Sequence, residues 1–142
     1  SFLDLYSGTG NIAFEALSRG AKRAVMIEKD PEALKIIIEN VNSLGFEDIS
    51  RAYKNDTIRA IEILGKKREK FDIIFMDPPY KKGFEEEVLS IIDRSSICTE
   101  DTVVIVESSL DTEIPDFEKL KVVRVKEYKT NKHTFLMKTQ ED

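Results

Sequence analysis

Short apolar runs in this chain alternate with stretches whose apolar residues recur at helical spacing. Residues 2–5 read as a strand, followed by the Gly-rich turn Tyr6-Ser7-Gly8-Thr9-Gly10-Asn11. Ile12, Ala13, Ala16 and Leu17 then form a stripe at the 3.6-residue period, predicting a helix over 12–19 closed by Gly20. A second strand over 24–27 ends at Glu28. Asp30-Pro31 opens the next helix, with Asp as N-cap and Pro at the first helical position; it runs through Leu34, Ile37, Ile38 and Val41 to a stop near Gly45.

Residues 49–54 predict a third strand, and 57–64 a helix closed by Gly65. The most apolar run, Phe71-Asp72-Ile73-Ile74-Phe75-Met76, predicts a buried strand. A helix over 84–94 presents Val88, Leu89, Ile91 and Ile92, and a strand over 102–106 ends at Glu107. The rhythm then changes: strands over 122–129 and 134–138 are separated only by a turn at 130–132, so they pair as an antiparallel hairpin. Strand–helix alternation through five strands implies a mostly parallel sheet with helices on both faces, and the hairpin brings the strand count to seven.

At 142 residues the chain is expected to form a single domain over 1–142. It begins inside a strand without an initiator methionine, so an N-terminal segment is expected to be missing. No apolar run approaches the roughly 20 residues that cross a bilayer, and no signal-peptide pattern opens the chain; a cytoplasmic monomer is expected. The lone cysteine, Cys98, excludes an internal disulfide and a cysteine-based zinc cluster, and reads as a small buried hydrophobe. No spacing suggests a metal site. With 22 basic and 27 acidic residues the net charge is −5, which argues against non-specific coating of nucleic acid.

The buried run at 71–76 stops at Asp77-Pro78-Pro79-Tyr80. Two prolines fix two φ angles and remove two donors, leaving a stiff shelf at the carboxyl end of a strand, where open α/β sheets bind ligands. A carboxylate, unpartnered carbonyls and a ring suit a flat group bearing an NH2. Asp77 and the Pro78 carbonyl accept its hydrogens and Tyr80 stacks on its face, as for the exocyclic amine of a nucleobase. Lys81 and Lys82 follow as candidate phosphate contacts, or as solvated side chains. His133, beside the hairpin turn, reads as a surface residue rather than a catalytic base.

Gly8-Thr9-Gly10 between strand and helix lets a ligand approach the backbone. With Ala13 and Glu28 it also fits the dinucleotide fingerprint, so an NAD(P)-binding module must be weighed. Glu28 would bind ribose hydroxyls in either case. Asp4 separates the readings: before this loop its carboxylate repels a pyrophosphate but suits the ammonium of an amino acid. Together with the shelf, which has no place in hydride transfer, it favours S-adenosylmethionine (SAM). Asp56 after the third strand is placed to accept from the adenine 6-amino group, to N-cap the following helix, or both.

Asp4-Leu5-Tyr6-Ser7-Gly8-Thr9-Gly10 followed by Glu15-Ala16-Leu17-Ser18-Arg19-Gly20-Ala21 resembles the first motif of class I SAM-dependent methyltransferases. The second half of that run, Ile27-Glu28-Lys29-Asp30, Asp77-Pro78-Pro79-Tyr80 and Val106-Glu107-Ser108 are together similar to the RsmD-type bacterial 16S rRNA guanine-N2 methyltransferases. The DPPY element alone is shared with enzymes that methylate adenine N6 or cytosine N4, so an adenine-N6 methyltransferase is the alternative. It would normally need a further target-recognition domain.

The resemblance implies the Rossmann-like class I methyltransferase fold, a seven-stranded sheet with a C-terminal antiparallel hairpin. It implies SAM contacts from Asp4, Tyr6, Gly8, Gly10, Glu28 and Asp56, with S-adenosylhomocysteine as product and no metal. Target-base contacts fall to Asp77, Pro78 and Tyr80, flanked by Pro79, Lys81 and Lys82. The substrate implied is a guanine of 16S rRNA, and the acidic net charge points to a partly or fully assembled small subunit whose proteins help dock the enzyme. Family members carry a segment before the first strand that is absent here.

Overall fold

The computed structural model describes residues 1–79 and 83–139. In chain order the elements are β1 (Phe2–Asp4), α1 (Asn11–Ser18), β2 (Ala24–Glu28), α2 (Pro31–Leu44), β3 (Ser50–Lys54), α3 (Thr57–Lys66), β4 (Phe71–Met76), α4 (Phe84–Arg94), β5 (Cys98–Ser109), β6 (Leu120–Glu127) and β7 (Asn131–Lys138). One seven-stranded sheet runs β3-β2-β1-β4-β5-β7-β6. The first five strands pair in parallel, and β7 enters antiparallel between β5 and β6. The reversal of strand order at β1 and β4 is a topological switch point, and it brings the Gly-rich turn beside the proline shelf.

Strand alternation divides the core between two faces. Phe2, Ala24, Met26 and Phe75 pack with Ala13, Phe14 and Leu17 of α1 and Ile37 of α2. Leu3, Val25, Ile27, Ile74 and Met76 pack on the other side with Ala60, Ile61 and Leu64 of α3 and Val88, Leu89 and Ile92 of α4. Helices therefore cover both faces, as the alternation predicts. Cys98 is buried, and burial pushes its thiol up to about 11, fitting an inert core residue.

Local chemistry sets most helix ends. Asp30 accepts from the Glu32 and Ala33 amides at 3.4 and 3.3 Å, with Pro31 in the first turn, and Gly45 closes α2 in the left-handed region at φ 75°. Asp56 caps α3 through the Arg59 amide at 2.9 Å. The buried carboxylate of Asp93 accepts from the Lys119 and Leu120 amides at 2.9 and 2.7 Å, tying α4 to the start of β6.

Four local expectations are corrected. Ile12 is 46% exposed and Phe14 takes the core position in α1, because the helix starts at Asn11 and turns Phe14 beneath Gly10. Ile38 is also exposed, and Ile37 alone is buried in α2. Gly65 does not close α3; the helix runs on to Lys66, and Arg68 adopts the left-handed conformation at φ 60°. Strand β5 extends well beyond the predicted 102–106, because β7 pairs with it out to Ser109.

Candidate active site

The site lies along the carboxyl ends of β1, β2, β4 and β5. On its first side the Gly-rich turn is stitched to the end of β2. The Ser7 amide donates to the Ile27 carbonyl at 3.0 Å, and the Gly10 amide folds back onto the Ser7 carbonyl at 2.7 Å. Glu28 clamps the turn: its Oε1 accepts from the Gly8 amide at 2.7 Å and its Oε2 from the Asp30 amide at 2.9 Å. Gly10 sits at φ 86°, and a Cβ there would lie 2.7 Å from Phe14 Cε2. Gly8 is also left-handed, at φ 57°, but a Cβ would meet nothing within 4 Å. One glycine is required by what lies beneath it; the other borders open space.

Asp4 is 1% exposed, and its Oδ1 accepts from the Tyr6 amide at 3.2 Å. Burial raises its carboxyl to about 7 against the hydrogen bonds from Tyr6 and Ser7, and the nearby charges of Asp77 and Glu28 raise it further. Tyr6 lies edge-on to Phe84 at 5.9 Å, forming a wall between turn and α4, and burial pushes its phenol up to about 12. Its hydroxyl has no hydrogen-bond partner among the described residues. Asp56 Oδ1 caps α3 through the Arg59 amide, and Thr57 beside it donates to the Leu5 carbonyl at 3.1 Å.

On the second side, Pro78 is buried while Asp77 and Pro79 are exposed. Asp77 and Pro78 border a cleft of about 770 Å³ between the start of α4 and the carboxyl end of β5. Its walls are acidic, with Glu85, Glu86, Glu107, Asp111 and Glu113 all lining it. Partial burial and the neighbouring Glu107 raise the Asp77 carboxyl to about 6, opposed by His133. Tyr80, Lys81 and Lys82 lie outside the described residues.

Asp4, Glu28 and Asp77 are thus brought together, and Gly8, Gly10 and Tyr6 shape the space beside them. Asp56 stands one strand further along. One pairing escaped the sequence reading, which took His133 for a surface residue and Glu107 for a strand end. His133 is not a free surface side chain: its Nε2 is 2.8 Å from Glu107 Oε1, and both side chains are mostly buried. The antiparallel pairing of β5 with β7 sets Glu107 opposite His133, a contact across 26 residues that no local pattern announces.

A mixed seven-stranded sheet of this order, with a Gly-rich turn after β1 and a proline shelf after β4, is the Rossmann-like fold of class I methyltransferases. The chain belongs to the family described as Conserved hypothetical protein 95, whose model matches residues 1–137, and which is the RsmD-type family its motifs resemble. It is 32% identical over 114 residues to YlbH of Bacillus subtilis, covering 80% of this chain and 62% of that one. It is 29% identical over 113 residues to the ribosomal RNA small subunit methyltransferase D of Escherichia coli K12, covering 80% and 55%. The chain therefore spans less than two thirds of the length of either relative.

Among solved structures, a conserved hypothetical protein of Streptococcus pyogenes superposes with a TM-score of 0.87 at 29% identity, over 97% of this chain and 85% of the other. An RNA methyltransferase of Salinibacter ruber in complex with S-adenosyl-L-homocysteine shares the fold, with a TM-score of 0.79 at 18% identity over 99% and 82% of the two chains.

Proposed function

We propose that this chain is a single SAM-dependent methyltransferase domain that methylates the exocyclic N2 amine of a guanine in small-subunit 16S rRNA. The observation that carries the reading is the convergence of Asp4, Glu28 and Asp77 around the Gly-rich turn. The Gly8 amide, which a dinucleotide fingerprint would offer to a pyrophosphate, is instead taken by the Glu28 carboxylate at 2.7 Å. Such a site repels phosphate and attracts a ligand with an ammonium and a sulfonium, so SAM fits it and NAD(P) does not. The open space in front of Gly8 gives that ligand room.

Bound SAM supplies a methyl group made electrophilic by its sulfonium. Asp4 would face its ammonium, the remaining lone pairs of Glu28 would take the ribose hydroxyls, and the second oxygen of Asp56 would take the adenine 6-amino group. Across the site, the Asp77 carboxylate and the Pro78 carbonyl accept both hydrogens of the acceptor amine. This draws its nitrogen toward tetrahedral geometry and frees a lone pair that is otherwise delocalised into the ring. The contribution of these groups is alignment and electrostatic preorganisation. Stacking on the extruded base falls to Tyr80 by its chemistry, offsetting part of an unstacking cost of a few kcal/mol.

The relative named ribosomal RNA small subunit methyltransferase D supports rRNA as the substrate class. The net charge of −5 favours an assembled or partly assembled subunit, whose proteins can help dock the enzyme, over protein-free RNA. Calorimetry with SAM and with NAD tests the cofactor, and NAD binding in place of SAM would overturn it. Methyl transfer from labelled SAM to unmodified small subunits, followed by digestion to nucleosides, tests the target. N2-methylguanosine is the expected product; N6-methyladenosine would keep the shelf and replace the base.

A further inference from the structure

Asp77 is also bordered by β5. Met76 pairs with Val106 in the parallel β4–β5 ladder, so Asp77 and Glu107 follow one another off the same rung. Both border the cleft, and Glu107 stands near enough to share a hydrogen bond with Asp77. Opposite Glu107 in the β5–β7 ladder is His133, with Nε2 at 2.8 Å from Oε1. The imidazole is fixed by three rings set edge-on to it: Tyr128 at 5.0 Å, Phe75 at 6.2 Å and Phe135 at 6.5 Å between centroids. Asp77, Glu107 and His133 therefore form a row across three adjacent strands that ends at a ring with 24% of its side chain exposed.

We propose that Glu107 and His133 are positioning residues that act through Asp77, holding its carboxylate toward the acceptor amine and passing the proton released there to solvent. This rests on the methyltransferase reading above. Once the amine nitrogen carries the new methyl, one of its N–H bonds breaks and the electron pair stays on nitrogen. The proton goes to an Asp77 oxygen, then to Glu107, then to the His133 ring, which gives up the proton on its other nitrogen to water. One proton leaves per methyl transferred, and no oxidant, reductant or metal is needed.

The charged groups facing Asp77 among the described residues fix the signs expected on mutation. Glu107 on β5 raises it and His133 on β7 lowers it, while Asp4 on β1 and Glu85 and Glu86 at the start of α4 are further carboxylates around the same space. On β6, Lys126 is the cross-strand partner of His133 and lies over the Tyr128 ring at 5.4 Å.

Two variants test the row. Glu107→Gln removes the raising carboxylate and the proton acceptor but keeps the side-chain shape. It is expected to lower kcat by about tenfold with KM little changed, and to move the acid limb of the kcat–pH profile down by roughly one pH unit or more. His133→Asn keeps a hydrogen-bonding group toward Glu107 but cannot titrate, and is expected to move the same limb upward. The titration of the Asp77 carboxyl carbon, followed by NMR in the wild type and both variants, reads the coupling without any turnover. Opposite shifts in the two variants support the proposal. If methyl transfer proceeds but Asp77 titrates alike in all three proteins, the coupling is overturned. If the NMR shifts appear and the wild type transfers no methyl, the methyltransferase reading fails and the coupling stands.

Discussion

The two sides of the site are built on opposite terms. Around Gly8 and Glu28 nearly every polar group already has a partner: amides of Ser7, Gly8, Gly10 and Asp30 are all taken by protein oxygens, and Phe14 fills the space under Gly10. Around Asp77 the space is wide, about 770 Å³, and its walls hold carboxylates in excess of cations. The first side is a mould for one small ligand of fixed shape. The second is open, with Asp77 at its edge and the row through Glu107 and His133 behind it. On the proposed function, a donor common to every turnover and an acceptor embedded in a macromolecule account for that division.

Breaking the second side alone gives the largest expected effect. Asp77→Asn leaves the turn untouched, so SAM affinity by calorimetry should be unchanged while kcat falls by roughly a hundredfold or more, the scale of losing a preorganised hydrogen-bonding group. Equal loss of SAM binding would show that the two sides are not separable. On the first side, Gly10→Ala combines a left-handed φ with a 2.7 Å contact against Phe14. It should cost about 3 kcal/mol in a denaturant titration, and take SAM binding with it.

Asp4→Asn should show a pH dependence. The native carboxyl is raised to about 7 from an ordinary 3.8, so folding favours its protonated form. Stability from this group is full below about pH 4 and is lost as pH rises through 7. The asparagine variant should therefore gain on the wild type by about 4 kcal/mol at pH 8 and by little at pH 4, while binding SAM more weakly. Gly8→Ala is the mildest change: about 1 kcal/mol of stability for its positive φ, since nothing stands where the methyl would go. A larger loss of SAM affinity than of stability would show that the open space is the ligand's.

Legibility followed the range of the forces involved. The Asp30-Pro31 helix start, the strand 71–76 and the presence of the hairpin were readable because each is fixed by neighbours in sequence. The hairpin turn, however, falls before Asn131 rather than at 130–132, because Asn131 and Lys132 pair with Ser109 and Glu127. Periodicity placed Ile12 on the buried stripe, and the structure puts Phe14 there instead, because the close approach at Gly10 sets the rotation of α1. Gly65 looked like a helix end, yet a glycine within a packed helix is tolerated at modest cost, and the chain reverses at Arg68. The shelf at Asp77 was legible as chemistry; its pairing with Glu107 and His133 was not, since strand register over long separations leaves no local trace.

The insertion of β7 between β5 and β6 also sets an order of events in folding. When β6 has been synthesised it has no neighbour in the sheet, because among the described residues its strand partner is β7. Until residues 131–138 leave the ribosome, the edge of β5 from Val104 to Ser109 stays open to pairing with other chains. The parallel half of the sheet can assemble while translation continues, but closure waits for one late strand with contacts far back in the chain. Refolding should show a slow final phase in which sheet completion and the arrival of His133 beside Glu107 coincide.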